Sequence, residues 1–170
     1  EMEEPSTSPL SLYHRAEARP GTLLRESATA FAASMTETFR RLSVADFELA
    51  VAALSEPRNH IFITGGRFTH LLAEMLHLHL FQMRSNVSTL LPGLQSRADQ
   101  LLDVGPHSVL VAYDFRRYEA ETVAIVRRAK ERGATVIVIT DPWNSPAARY
   151  ANAVLAAEVG QLELAYDYLA

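Results

Sequence analysis

Residues 129–141, AKERGATVIVITD, contain the junction between a helix and a buried strand. Positions 119–132 show the apolar spacing of a helix, and Gly133 is a typical C-terminal stop. The next apolar run, Val136–Ile139, is hydrophobic at every position. Because a strand that is apolar throughout is buried on both faces, this stretch predicts a helix followed by a central strand of a parallel sheet.

The same pattern occurs at several other places in the chain. Continuous apolar runs at 61–64, 109–113 and 153–156 predict three more strands, and 86–90 predicts a weaker strand nearer an edge. Helical segments separate the strands, which indicates right-handed βαβ units. We therefore predict an α/β fold, a three-layer sandwich with a five-stranded parallel sheet, and we assume the strand order 2-1-3-4-5.

The region before the first strand divides into two parts. Residues 1–22 are rich in proline and small polar residues and predict a linker or arm. Residues 23–57 carry apolar stripes at helical spacing and predict two helices, with Ser43 as the N-cap of the second. Residues 58–170 form the predicted α/β core, so that one domain covers 23–170.

Composition limits the classes of function that this chain can have. Its 170 residues contain no cysteine, which excludes disulfides, thiolate catalysis and cysteine-ligated metals. A net charge of −4 makes it a poor candidate for binding nucleic acid by itself. No apolar run could span a bilayer and the N-terminus lacks a secretory signal, so we expect a cytoplasmic protein. The chain begins with Glu1, and we expect it to be part of a longer protein.

Two loops are candidates for a ligand site because of where they follow the strands. In open parallel sheets, ligands bind beyond the carboxyl ends of strands, at the point where the strand order reverses. With the assumed order, that point lies between the first and third strands. The loops Gly65–Thr69 and Asp114–Tyr118 should therefore face each other.

The residue types in these loops suit an anion. The glycines allow close approach to a ligand, the following helix begins with unpaired N–H groups, and arginines supply bidentate donors. Alternatively, the glycines form only a turn, and the arginines pair with the neighbouring carboxylates of Asp114, Glu119 or Glu121. The candidate ligand-binding residues are Gly65, Gly66, Arg67, Thr69, Asp114, Arg116, Arg117 and Tyr118.

Two further features lie in the segment 68–84, which has helical spacing. His70, Glu74 and His77 share one face, but no further ligand is evident, so we predict histidines placed by packing and neither a metal nor a cofactor. The segment is apolar on more than one side, which indicates burial on more than one side. Its second apolar side is covered either by another subunit or by the two N-terminal helices.

Residues 42–158 resemble a SIS (sugar isomerase) domain. The motif that carries the resemblance runs from Ala129 to Asp141 and continues with Asn144-Ser145-Pro146. The N-terminal helices and the stretch 59–65 resemble the SIS domains of RpiR-type bacterial transcriptional regulators, in which a linker follows a helix-turn-helix domain. This resemblance implies the strand order 2-1-3-4-5, a dimer or tetramer, a phosphosugar effector, and DNA binding only through an N-terminal domain that is missing here.

Both ligand loops depart from the pattern of the family they resemble. The first is commonly Gly-x-Gly-x-Ser, and here Arg67 replaces the second glycine and Thr69 the serine. The second is commonly Ser-x-Ser-Gly-x-Thr, and here it is Asp114–Glu119, DFRRYE. The ligand can then be a phosphosugar, a sugar acid or another carboxylate.

We therefore predict an effector-sensing and oligomerisation domain of a transcription regulator that binds a small anionic ligand and is not an enzyme. A phosphosugar isomerase is the first alternative, because Glu74, His70 or Glu119 could serve as a base. A dimerisation module that binds no ligand is the second.

Overall fold

Five parallel strands form one sheet in the computed structural model, which describes residues 20–90, 101–143 and 145–158. The sheet order is β2-β1-β3-β4-β5, which confirms the predicted 2-1-3-4-5 order and places the weak strand β2 at an edge. The strands are β1 (His60–Gly65), β2 (Val87–Thr89), β3 (Ser108–Tyr113), β4 (Thr135–Thr140) and β5 (Ala153–Ala156).

Helices precede the sheet and connect its strands. They are α1 (Pro20–Arg41), α2 (Val44–Ser55), α3 (His70–Phe81) and α4 (Ala120–Glu131), with 3-10 turns at Leu101–Asp103 and Pro146–Tyr150. The first helix begins at Pro20, two residues before the predicted end of the linker at residue 22. Residues 1–19 of that linker lie outside the described residues. The residue pattern also predicts short helices at 95–102 and 161–169, and most of the first and all of the second lie outside the described residues as well.

The three central strands, β1, β3 and β4, are buried on both faces, as their apolar runs predict, whereas the edge strands β2 and β5 are mostly half-buried. Successive side chains of β3 point to opposite sides, so that Val109 and Val111 join one core and Leu110 and Ala112 the other. The first core is covered by α2 and α3, and the second by α4 and the 3-10 turn at Pro146–Tyr150. The result is the predicted three-layer sandwich.

Two helix ends follow the sequence signals closely. The Ser43 side chain accepts a hydrogen bond of 3.2 Å from the Asp46 N–H, which confirms it as the N-cap of α2. Gly133 has a φ of 86°, the left-handed conformation that ends α4 before β4 begins.

The outer sides of α1 and α3 stay uncovered in the described part of the chain. On α1, Phe31, Met35 and Phe39 are each at least 60% exposed, although they form the predicted apolar stripe. On α3, Met75 and Phe81 are similarly exposed. Within residues 20–90, 101–143 and 145–158, the N-terminal helices therefore do not cover the second apolar side of α3. This excludes the alternative in which those helices cover it and leaves the one in which another subunit does.

No helix within the described ranges has both the length and the apolar character that crossing a bilayer requires.

Candidate functional site

The loops after β1 and β3 lie side by side at the carboxyl edge of the sheet. The two strands pair directly, with Gly65 opposite Tyr113 at their last residues, so the chain leaves both strands at one place. Between the loops is a cleft of about 190 Å³. Its lining residues are Gly66, Arg67, Phe68, Thr69, Asp114, Phe115, Arg116, Arg117 and Glu119.

The first loop is tightly closed at its two glycines. A methyl group on Gly65 would lie 2.6 Å from backbone atoms of Thr69 and His70, a distance that would force the backbone to move. A methyl group on Gly66 would lie 2.7 Å from Oε1 of Glu119, which belongs to the second loop. Gly65 therefore allows the chain to turn, whereas Gly66 leaves room for a side chain from across the cleft.

The buried hydroxyl of Thr69 fastens the first loop to the sheet. Its Oγ1 accepts a hydrogen bond of 2.7 Å from the Gly66 N–H and donates one of 3.0 Å to the Tyr113 carbonyl. The Thr69 hydroxyl proton is thus used within the protein and not on a ligand. The N–H groups of Phe68 and Thr69 find no acceptor among the described residues, which leaves two backbone donors in this loop.

A buried carboxylate stands at the start of the second loop. Asp114 is 2% exposed, accepts a hydrogen bond from the Ser145 hydroxyl, and accepts a longer one of 3.4 Å from the Glu119 N–H. Burial raises the pKa of the Asp114 carboxyl, although the bond from Ser145 opposes this. Asp114 therefore holds the second loop through a hydrogen bond on its buried side and presents little of its own surface to the cleft.

Asp141, at the end of β4, holds the rest of the second loop. Its fully buried carboxylate accepts hydrogen bonds from the Arg116 N–H at 2.7 Å, the Tyr118 hydroxyl at 2.6 Å and the Trp143 N–H at 3.1 Å. Burial and the bond to Asp141 both raise the pKa of Tyr118. Tyr118, a predicted ligand-binding residue, does not line the cleft. Its hydroxyl bonds to Asp141 instead.

Arg117 has an unusual backbone conformation, with a φ of 78°. Left-handed backbone is costly for a residue with a side chain and is the reason that glycine is preferred in such turns. In the family pattern given above, glycine stands at this position of the second loop. Arg117 therefore has a backbone conformation that glycine, the residue of the family pattern, would adopt at lower cost.

The guanidinium groups of two cleft arginines are stacked on aromatic rings rather than paired with carboxylates. Arg116 lies over Trp143 with 4.1 Å between its Cζ and the ring centre, and Arg67 lies over Phe68 at 5.4 Å. In the described residues neither side chain makes an ion pair. For these two arginines the alternative of neutralisation by neighbouring carboxylates is therefore wrong.

Two acidic residues of this site were not among the predicted ligand-binding residues. Glu119 appeared only as a pairing partner or a base, and Asp141 only as the last residue of the family motif. The position of Asp141 directly after β4, the neighbour of β3, could have revealed it. Among the described residues no group of histidine, aspartate and glutamate side chains is arranged to hold a metal ion.

Comparison with known proteins points to one fold family. A family model described as SIS domain matches residues 53–165. Comparison with curated proteins gives no significant match.

Several solved structures resemble the chain over most of its length. The RpiR transcription factor of Sphaerobacter thermophilus (sugar isomerase domain) is 25% identical with a TM-score of 0.71, over 81% of this chain and 79% of that one. The Vibrio vulnificus NanR protein complexed with ManNAc-6P is 13% identical with a TM-score of 0.71, over 93% of this chain and 58% of that one. The E. coli CFT073 protein c3406 in complex with A5P is 14% identical with a TM-score of 0.63, over 89% and 85%.

Proposed function

Since the chain belongs to the SIS domain family, we propose that it is the effector-sensing and oligomerisation domain of a bacterial transcription regulator. The ligand is a small anion, a phosphosugar or a sugar acid, held between the loops after β1 and β3. The full-length regulator binds DNA through a separate N-terminal domain and acts in the cytoplasm.

The observation that carries the ligand proposal is the cationic character of the cleft. Three arginines line it, and Arg67 and Arg116 keep their charge free of ion pairs within the described ranges. Arginine is suited to phosphate and carboxylate because its planar group gives two parallel hydrogen bonds. The solved structures of NanR with ManNAc-6P and of c3406 with A5P support the choice of a sugar phosphate as the first ligand to test.

A thermal-shift screen of sugar phosphates, sugar acids and small dicarboxylates tests this proposal. A ligand that binds the native state raises the melting temperature by mass action. Arg67→Ala and Arg116→Ala should each abolish the shift, whereas Arg128→Ala, an exposed arginine on α4 outside the cleft, should keep it. A ligand that still raises the melting temperature of both cleft variants would bind elsewhere. A screen in which no compound raises the melting temperature would favour a dimerisation module.

A sensing rather than a catalytic role is supported by the state of the acidic groups. The buried carboxylate of Asp114 accepts a hydrogen bond from the Ser145 hydroxyl and presents little of its surface to the cleft. His70 bonds through Nδ1 to the Arg67 carbonyl, and Glu74 does not line the cleft. Turnover of any sugar phosphate in the same panel would contradict this part of the proposal.

The oligomeric part of the proposal comes from the uncovered sides of α1 and α3. Isolated helices are marginal in water, and exposed apolar stripes of this kind are typical of subunit interfaces. We infer that a second copy of the chain covers them. Sedimentation analysis should give a dimer or tetramer, which Met75→Glu should dissociate and Leu102→Glu, an equally exposed apolar residue elsewhere, should not. A monomeric wild-type chain at micromolar concentration would contradict the inference.

A further inference from the structure

The Glu119 carboxylate lies against the backbone of the first loop, where an anion is expected. Its Oε1 accepts a hydrogen bond of 2.6 Å from the Arg67 N–H. The same oxygen lies 2.7 Å from the point that a methyl group on Gly66 would occupy. Glu119 thus fills the space that the missing side chain of Gly66 leaves open.

This contact is made across the cleft and not within the helix to which Glu119 belongs. Glu119 is the N-cap residue of α4, yet its side chain makes no capping hydrogen bond there. In the described part of the chain its carboxylate accepts no hydrogen bond other than that from Arg67 and makes no ion pair. Only this one hydrogen bond holds the carboxylate in place, so an incoming anion can displace it.

A carboxylate in this position is an anion attached to the protein. It satisfies the Arg67 N–H, and because it is part of the same chain its effective concentration at that donor is high. We propose that Glu119 determines the anion selectivity of the cleft by acting as a built-in competitor, which the anionic group of the ligand displaces from the Arg67 N–H. This inference rests on the proposed function, since it assumes that the cleft binds an anion.

The charge on Glu119 makes the competition selective. A nearby negative charge disfavours a phosphate dianion about twice as much as a singly charged carboxylate, because the Coulomb energy is proportional to the charge of the ligand. The family pattern has threonine at this position of the second loop, a neutral donor. With glutamate there instead, the cleft is biased against phosphate and toward carboxylate ligands such as sugar acids.

Titration of the 170-residue chain with inorganic phosphate and with acetate, followed by the backbone amide resonances of Gly66 and Arg67, tests this inference. Glu119→Gln removes the charge and keeps the size, and Glu119→Thr introduces the residue of the family pattern. Both should tighten phosphate binding roughly tenfold, and acetate binding by a smaller factor. Glu131→Gln, an exposed glutamate in the last turn of α4, is the matched control and should leave both affinities unchanged.

Two measurements keep the test independent of ligand affinity and of folding of the variants. Without ligand, Glu119→Gln should move the Arg67 amide proton upfield, because a charge-assisted hydrogen bond is lost. In the wild type, saturation with phosphate should shift the Cδ resonance of Glu119, as displacement requires. Absence of either shift would overturn the inference.

The failure of this inference and that of the proposed function are distinguishable. If phosphate affinity in Glu119→Gln is unchanged or weaker, while wild-type ligands still bind, Glu119 is not a competitor and the inference fails alone. If the Glu119 variants bind phosphate while no sugar phosphate or sugar acid binds the wild type, the sensing proposal fails and the role of Glu119 stands.

Discussion

The loop after β1 and the loop after β3 line the same cleft but are held by different forces. In the first, the turn depends on the absence of a side chain, because a methyl group on Gly65 would lie 2.6 Å from the backbone of Thr69 and His70. In the second, it depends on two buried carboxylates, Asp114 and Asp141, which accept hydrogen bonds from loop N–H groups. The turn at Gly65 leaves no room for a side chain, whereas a loop fixed by buried acceptors tolerates new side chains as long as those acceptors stay.

This difference accounts for where the chain departs from the family pattern. The second loop has changed at its polar positions, with two arginines and two acids in place of hydroxyls and glycine, and its backbone is left-handed at Arg117. The first loop has kept Gly65 and a hydroxyl residue at Thr69, and it has changed at Arg67, which lines the cleft. The four predictions that follow test the two modes of support, from the largest expected effect to the smallest.

Gly65→Ala should be the most damaging single change in either loop. The added methyl group would collide with backbone atoms rather than with a flexible side chain, so we expect a loss of about 3 kcal/mol of unfolding free energy or failure to fold. Urea denaturation measures the loss. Gly105→Ala is the control, because a methyl group there meets nothing within 4 Å, and its effect should stay within about 0.5 kcal/mol. Equal effects at the two glycines would show that steric fit does not fix the first loop.

Thr69→Val should have the next largest effect. Valine keeps the volume but leaves the Gly66 N–H and the Tyr113 carbonyl without their shared partner, which costs about 1–3 kcal/mol. Thr69→Ser retains the hydroxyl and should recover most of that loss in the same denaturation experiment. A serine variant as unstable as the valine variant would assign the effect to packing of the methyl group instead.

Arg117→Gly and Arg117→Ala together measure the strain in the second loop. Both remove the side chain, but only glycine relieves the left-handed backbone, so the glycine variant should be more stable than the alanine variant by about 1 kcal/mol. Thermal unfolding of the pair gives the difference directly. An alanine variant as stable as the glycine variant would mean that the surrounding hydrogen bonds remove the strain.

The pH dependence of stability should reveal the buried Asp114. Because burial raises its folded-state pKa above the ordinary value of 3.8, the charged form destabilises the native state at neutral pH. Stability due to this group should therefore increase as the pH falls through the folded pKa, and the gain is complete below about 3.8. The unfolding free energy of the wild type minus that of Asp114→Asn should rise as the pH falls from 7 to 4. A flat or falling difference would show that hydrogen bonds outweigh burial.

Most of the fold could be predicted from local signals in the sequence. Apolar runs gave the five strands to within a residue or two, since a strand buried on both faces needs hydrophobic residues at every position. Ser43 and Gly133 marked the helix ends where the structure has them. The helix predicted from Phe68 to Arg84 is shorter in the structure, His70–Phe81, because its ends carry no capping signal of that kind.

For the site, the sequence predicts its position at the carboxyl ends of β1 and β3 but not its internal contacts. Topology brought the two loops together, but nothing local indicated that the Thr69 hydroxyl would turn to Tyr113 or that Tyr118 would bond to Asp141. Such contacts join residues far apart in the chain and depend on side-chain directions that the residue pattern leaves open.

By itself, the sequence determined the order of the elements, the parallel sheet and the pair of loops at its carboxyl edge, because these follow from hydrophobic periodicity and strand ends. Only the tertiary structure decided which charges face the cleft and which are used internally. Three-dimensional packing buries Asp114 and Asp141, stacks Arg116 on Trp143 and carries the Glu119 carboxylate across to the Arg67 N–H. The physical reason is that burial and hydrogen-bond partners are properties of neighbours in space, and these neighbours are up to 52 residues apart in the chain.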